Sequence, residues 1–266
     1  TFFSTVGYDL GISTLDPYAE YFGLGTTTGV ELGEATGIMS NPQEYRENHG
    51  VEWTDGVTSQ TAIGQADNMF TPIQLATMCA TIANGGVRLQ THFLDKITDY
   101  TGETVLEEYE PVELYDAGLS GDVLGVVQAG MQMVATQGTA ADVFANYPVS
   151  IACKTGTPQR SETYYVGSTR KHYTNTMTVA YGPAEDAEIA LGIVIEYGGG
   201  GARAGNLVAD IFDAYYAMKD GSLTLDETGA GETADTTADG QDTVPETVEN
   251  NDALADDTAP AAQPAA

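Results

Sequence analysis

Lys154, Thr155, Gly156 and Thr157 put an ammonium, two hydroxyls and a residue without a side chain on four consecutive positions, at the end of the apolar run Val149 to Cys153. A lysine beside a strand often does no more than carry its charge into water. Glycine, however, weakens a strand and marks a place where another backbone or a ligand lies close. The flanking threonines can each donate and accept hydrogen bonds. Strand alternation sends Lys154 and Gly156 one way and Thr155 and Thr157 the other. Four of the nine basic residues, Lys154, Arg160, Arg170 and Lys171, fall within eighteen positions. They predict a local cationic groove suited to a carboxylate-bearing ligand, shared by Lys154 and at least one of the other three.

The elements that must position this tetrad lie in a chain of two materials. Of 266 residues with a formal net charge of -30, the stretch from Asp220 to Ala266 holds twelve acidic residues, no basic residue and no aromatic. Such a composition cannot offset an ordering cost of about 1–2 kcal/mol per residue, which predicts a folded domain over 1–218 and a disordered acidic tail over 219–266. Before the tail, 27 acidic residues face 9 basic ones, a balance that argues against nucleic acid or an anionic membrane as the main partner. Cys79 and Cys153, far apart and outside any CxxC spacing, are expected to be buried free thiols. His49, His92 and His172 share no short-range ligand spacing, so neither a metal nor a cofactor is expected.

Ser13, Asp16 and an apolar period ending at Phe22 predict a capped helix. The Gly-rich stretch 25–55 reads as loop with short elements. Thr71, Pro72 and Gln74 announce the clearest helix, with Ile73, Ala76, Thr77, Ala80 and Ala83 on its packed faces and Asn84-Gly85-Gly86 as its stop. A hairpin turns at 99–103. A second helix runs through Val123, Val126, Val127, Met131 and Val134 to Gly138, its methionines read as core filler. Four β-prone runs follow, PVSIACKT, TYYVG, TMTVAYG and EIALGIVIEYG, and then a helix over 205–218. The order predicts an α+β fold: helices, a mainly antiparallel sheet, and a C-terminal helix packed on it.

KTGT resembles the lysine motif of the penicillin-binding proteins and serine β-lactamases, enzymes that acylate a serine. Ile63 to Gly86, IGQADNMFTPIQLATMCATIANGG, is similar to a stretch of the high-molecular-weight transpeptidases, with Ala66 where glycine is common. YFGLGTTTGVEL, MQMVATQGTA, YYVGS and AEIALGIVIEYGGGG resemble further family segments in family order, so the resemblance covers Thr1 to about Ala217. It implies a β-lactamase/transpeptidase-like fold, incomplete here. It also implies catalytic roles for Lys154 and Thr157 and substrate binding by Thr155, Gly156 and Thr157. Lys154 would orient the ligand carboxylate and help proton transfer, the two threonine hydroxyls would bind that carboxylate, and Gly156 would let the acyl donor lie along the strand edge. The Thr157 backbone N–H would be one of two oxyanion donors, worth about 3–4 kcal/mol in the transition state.

Family members pair their serine nucleophile with a lysine three residues on, and carry a Ser-x-Asn motif before KTG. No serine here has an asparagine two residues later, and the sole SxxK match, Ser168 to Lys171, lies after KTG. The expectation is the C-terminal half of a transpeptidase domain, silent on its own, whose parent cross-links peptidoglycan stem peptides ending in D-Ala-D-Ala and is acylated by β-lactams. Alternatives are a β-lactamase, a penicillin-sensing receptor, or a non-catalytic scaffold among other cell-wall synthesis proteins. The implied location is the extracytoplasmic face of a bacterial membrane, with the anchor in an N-terminal region absent from this chain. In the family the strand matching Ile189 to Glu196 pairs with one that precedes the nucleophile, so one flank of that strand is expected to be unpaired here.

Overall fold

Strands rich in Val, Ile, Thr and Ala form the centre of the molecule because both of their faces are apolar and both are covered by helices. The computed structural model describes residues 2–200, 204–225 and 231–233. In chain order come α1 (Phe2–Leu10), α2 (Ile12–Tyr21), α3 (Pro42–His49), α4 (Asp55–Thr61) and α5 (Pro72–Ala83). Next are β1 (Val87–Leu89), β2 (Lys96–Thr98), β3 (Val105–Glu108), β4 (Glu113–Asp116), α6 (Gly121–Thr136) and α7 (Ala141–Phe144). Then follow β5 (Ala152–Gly156), β6 (Gln159–Val166), β7 (Thr169–Thr174), β8 (Thr176–Gly182), β9 (Ile189–Ile195) and α8 (Ala204–Asp220). The residues to Asp220 make one unit; in the second, β10 (Leu223–Leu225) pairs antiparallel with β11 (Gly231–Thr233). The tail expected to be disordered thus contains this short ribbon, and the rest of that expectation lies outside the described residues.

The central sheet has the order β5-β8-β9 and is antiparallel throughout. Alternation divides it cleanly. Ile151, Cys153, Ala180 and Leu191 face Val208 and Phe212 of α8 and Phe144 of α7. Ala152, Val179 and Tyr181 face Leu75 and Cys79 of α5 and Met131 of α6. The sheet is therefore a slab between helices, with β5 at one margin and β9 at the other. Among the described residues β9 pairs with β8 alone, as expected for one of its flanks.

Helix α5 begins with the capping box that its sequence announces. The Thr71 hydroxyl accepts from the Gln74 N–H at 3.3 Å, and the Gln74 side chain accepts from the Thr71 N–H at 3.0 Å. Its other amide end donates to the carbonyls of Thr26 and Thr36, both at 2.6 Å, so the Gly-rich loop is tied to the start of α5. That start lies directly on β9. A Cβ added at Gly192 would come within 2.6 Å of the Pro72 carbonyl oxygen and 2.7 Å of the Ala76 nitrogen.

Several sequence expectations change in the structure. Gly11, at φ 75°, divides α1 from α2, so the helix starts before Ser13 and Ser13 does not cap it. On α6 the buried stripe is Leu124, Met131 and Ala135, while Val123, Val126, Val127 and Met133 are exposed. On α5 Leu75 and Cys79 enter the core beneath the sheet; of the residues expected on its packed faces, Thr77 is buried and Ala83 packs against that core, while Ile73, Ala76 and Ala80 are half-buried. The polar run 169–174 is a fifth strand of the C-terminal region, β7, pairing with β6 in an exposed hairpin. Period reading favoured the valines because it registers apolarity and not which side the sheet occupies.

Two substitutions test this packing. Gly192→Ala forces a methyl into backbone atoms and is expected to lower the unfolding free energy by about 1–3 kcal/mol, measured by urea titration. Ala66 sits at φ 59°, in the left-handed region where a Cβ is costly. Ala66→Gly should therefore raise stability by up to about 1 kcal/mol after the entropy lost by glycine is counted. A null result for either would contradict the local backbone described here.

Candidate active site

Lys154 emerges where the slab runs out of helix cover. It shares a face with Ala152 and with its β8 partner Val179, the face covered by α5, but unlike Ala152 it is exposed. Its ammonium donates to the Thr155 carbonyl, and it has no carboxylate partner among the described residues. Thr155 turns to the opposite face, as alternation predicts. There its hydroxyl meets that of Thr139 at 2.8 Å. Thr139 follows Gly138, at the end of α6, so the connection from α6 to α7 delivers a second hydroxyl to the tetrad. The sequence reading missed Thr139, although it lies in the quoted segment MQMVATQGTA; a hydroxyl in a turn gives no periodic signal.

Gly156 is opposite Met177, and a Cβ added to it would meet only the Met177 Cβ at 3.4 Å and the Met177 oxygen at 3.8 Å, ordinary contacts. The fold itself therefore does not require glycine there. Thr157 lies just beyond the strand and is exposed. The Asn175 N–H donates to the Pro158 carbonyl at 3.0 Å, which continues the β5/β8 register by two residues. In an antiparallel ladder bonded and non-bonded pairs alternate, so the pair at 157 and 176 is non-bonded and the Thr157 N–H is directed away from β8, to the outer edge of β5. The Thr155 carbonyl, two residues earlier, has the same outward direction, and that is where Lys154 finds it.

The three basic residues expected from sequence clustering to share a groove with Lys154 each have neighbours of their own. Arg160 is held by Glu162 at 3.1 Å and Glu196 at 3.8 Å, and its guanidinium lies 4.2 Å from the ring centre of Tyr197. The Arg160 contact draws the Glu162 carboxyl down to about 2. Arg170 donates to Thr163, and Lys171 stands opposite Tyr164 on the hairpin. The first pair of the β6/β7 hairpin, Gln159 and Thr174, continues the β5/β8 register, and the register shifts only between Gln159 and Thr163. The ring ladder Tyr164, Tyr173, Tyr197, with centroids 4.7 and 5.4 Å apart, ties that hairpin to the segment after β9. Neither of two clefts elsewhere, one of about 260 Å³ between α5 and residues 89–91 and one of about 320 Å³ beside Ser4 and Tyr8, is lined by Lys154. The candidate site is an open strand edge.

The penicillin binding protein transpeptidase domain matches residues 1–214. The chain belongs to this family. It is 32% identical over 226 residues to penicillin-binding protein 2A of Bacillus subtilis, covering 79% of this chain and 30% of that protein. With the peptidoglycan D,D-transpeptidase MrdA of Escherichia coli K12 it shares 30% over 224 residues, 80% of this chain and 35% of that one. The structure of Pseudomonas aeruginosa PBP2 in complex with WCK 5153 superposes with a TM-score of 0.67 at 28% identity, over 86% of this chain and 46% of that chain. PBP2 of Helicobacter pylori in its complex with MreC gives 0.67 at 26% identity, over 82% and 38%. The chain thus spans about a third of the length of the curated relatives it matches. No described helix is long and apolar enough to cross a membrane.

Beneath the lysine motif of this transpeptidase segment the core is neutral. Cys79 and Cys153 are free and buried as expected. Burial, reinforced by the nearby Cys153, pushes the Cys79 thiol up to about 12, and burial pushes Cys153 up to about 11 against the opposing effect of Lys154. Because the folded state holds these protons more tightly, the unfolded chain loses them first as pH rises above the ordinary thiol value. Stability is then lost between pH 9 and about 11–12, with a slope of up to about 1.4 kcal/mol per pH unit for each thiol. Urea melts at pH 8 and pH 10.5 should show this loss, and the double variant Cys79→Ala, Cys153→Ala should show a shallower one. An equal pH slope in both would contradict the assignment.

Proposed function

We propose that this chain supplies the lysine-motif strand and its supporting slab to a peptidoglycan D,D-transpeptidase whose serine nucleophile lies outside the chain. In that reaction the serine oxygen attacks the carbonyl of the penultimate D-Ala of a stem peptide. The terminal D-Ala leaves with its amine protonated, and an amine of a neighbouring stem then takes the acyl group from the serine. Lys154 orients the donor carboxylate and assists proton transfer to the leaving amine. Thr155 and Thr157 bind the carboxylate, and the Thr157 N–H stabilises the oxyanion. β-Lactams would occupy the donor's place and stay attached. The setting is the outer face of a bacterial membrane, with other cell-wall synthesis proteins as partners.

The observation that carries the reading is Gly156. It sits on a marginal strand, its own fold leaves room for a side chain, and its neighbours direct backbone groups outward. Glycine is what a second extended backbone needs if it is to lie against that edge.

A fluorescent penicillin tests the proposal. The chain alone is expected to take no covalent label on a denaturing gel, and the full-length protein to take one. Gly156→Ala in the full-length protein should leave the melting temperature unchanged or slightly raised. It should slow acylation by at least about tenfold, since a small displacement of the donor is costly. Label on the chain alone, or a Gly156→Ala protein acylated at the wild-type rate, would overturn it.

A further inference from the structure

Asn175 is a single residue between β7 and β8, yet it bonds to two separate stretches at the end of the slab where KTGT lies, 158–160 and the segment after β9. Its backbone N–H holds the Pro158 carbonyl at 3.0 Å, just beyond Thr157. Its side-chain oxygen accepts from Nη1 of Arg160 at 3.2 Å and from the backbone N–H of Tyr197 at 3.2 Å. Tyr197 itself is fixed on every side. Its backbone is left-handed at φ 56°, its hydroxyl donates to Glu162 at 3.3 Å, its ring carries the Arg160 guanidinium, and Tyr173 meets it edge-on. A non-glycine residue in that region costs on the order of 1–3 kcal/mol and persists only where surrounding contacts over-determine it.

We infer that Asn175 is a positioning residue for the reaction proposed above: it holds the Pro158 carbonyl so that the Thr157 N–H stays turned to the outer edge of β5. The inference rests on that reading of Thr157. Pro158 has no N–H, so the pair at 158 and 175 can be closed by one bond only, from Asn175 to Pro158. Whatever fixes the backbone of Asn175 therefore fixes the direction of the peptide groups after Gly156. The side chain does this by clamping residue 175 between β6 and the segment after β9. Arg160, drawn from sequence as a ligand-binding cation, has a different part here: paired with Glu162 and Glu196, it is one wall of the clamp.

Two measurements test the inference separately from the reading on which it rests. In the isolated chain, Asn175→Ala should reduce exchange protection of the residue-175 amide by about tenfold, the loss of roughly one hydrogen bond, and shift the Thr157 amide resonance, while Ala180 in β8 keeps its protection. Asn175→Asp keeps an acceptor oxygen at the same reach and should restore both. In the full-length protein, acylation by a fluorescent penicillin should slow by about 10–100-fold for Asn175→Ala and return to within about threefold of wild type for Asn175→Asp. If Asn175→Ala loses Ala180 protection as well, Asn175→Ser, which is too short to reach both partners, replaces it. Unchanged residue-175 and Thr157 amides would overturn the inference, and so would altered amides with wild-type acylation. A wild-type full-length protein that takes no penicillin would instead overturn the transpeptidase reading, with the amide measurements still deciding whether Asn175 holds Thr157.

Discussion

The wholly buried side chain of Gln74 is the constraint on which the position of the slab depends. It closes the capping box of α5 through the Thr71 N–H and at the same time takes up the carbonyls of Thr26 and Thr36. A buried amide left with one of these bonds missing would cost about 1–3 kcal/mol, so the loop, the helix start and the amide form together or not at all. Once the start of α5 is fixed, its backbone rests on Gly192 with no side chain between. The distance between helix and sheet is then set by main-chain contact, which has less freedom to adjust than a layer of side chains.

From that contact the geometry of the motif follows in steps. β9 is held by α5, β8 by its ladder to β9, and β5 by its ladder to β8, with α8 closing the opposite face. The lysine motif occupies the last residues of the final strand in this series, where one flank is paired and the other lies at the margin. A marginal strand is normally a hazard, since its unpaired groups invite another chain. Here the hazard and the proposed use coincide: a strand able to accept an extended donor must have an edge, and Gly156 leaves that edge accessible to a second backbone.

Much of this was legible in the sequence because it depends on local chemistry. The capping box at Thr71 and Gln74, the stop at Asn84-Gly85-Gly86, the alternation that separates Lys154 from Thr155, and the burial of both cysteines are written in residue types a few positions apart. Ala66 was readable too, as an alanine in a glycine's place, and the structure gives it the left-handed φ that explains the difference. What was not legible depends on which side the sheet takes. α6 shows an apolar period through its valines, but the slab receives Leu124 and Met131. The polar strand β7 lacks any period because neither of its faces is covered. Asn175 and Thr139 lie in turns, where their hydrogen-bond partners come from positions 15 to 22 residues away.

The sign of the overall charge says little about the motif. With 27 acidic residues before the tail against 9 basic ones, the carboxylate-bearing ligand proposed above would approach a protein of its own sign. At physiological ionic strength, however, exposed charges farther off than about 8 Å are largely screened, so what decides is the immediate surroundings of Lys154. Those surroundings are asymmetric. Arg160 has two glutamates within 4 Å, whereas Lys154 has none among the described residues and bonds only to a neutral carbonyl. The pairing of Arg160 ties its guanidinium to the hairpin base, while Lys154 keeps an ammonium without a carboxylate among the described residues on the face that opens from the core. A cation held by a carbonyl can exchange that bond for a carboxylate without first breaking an ion pair. What the proposed recognition at this edge would meet first is therefore an ammonium with no carboxylate beside it among the described residues, and not the net charge of the chain.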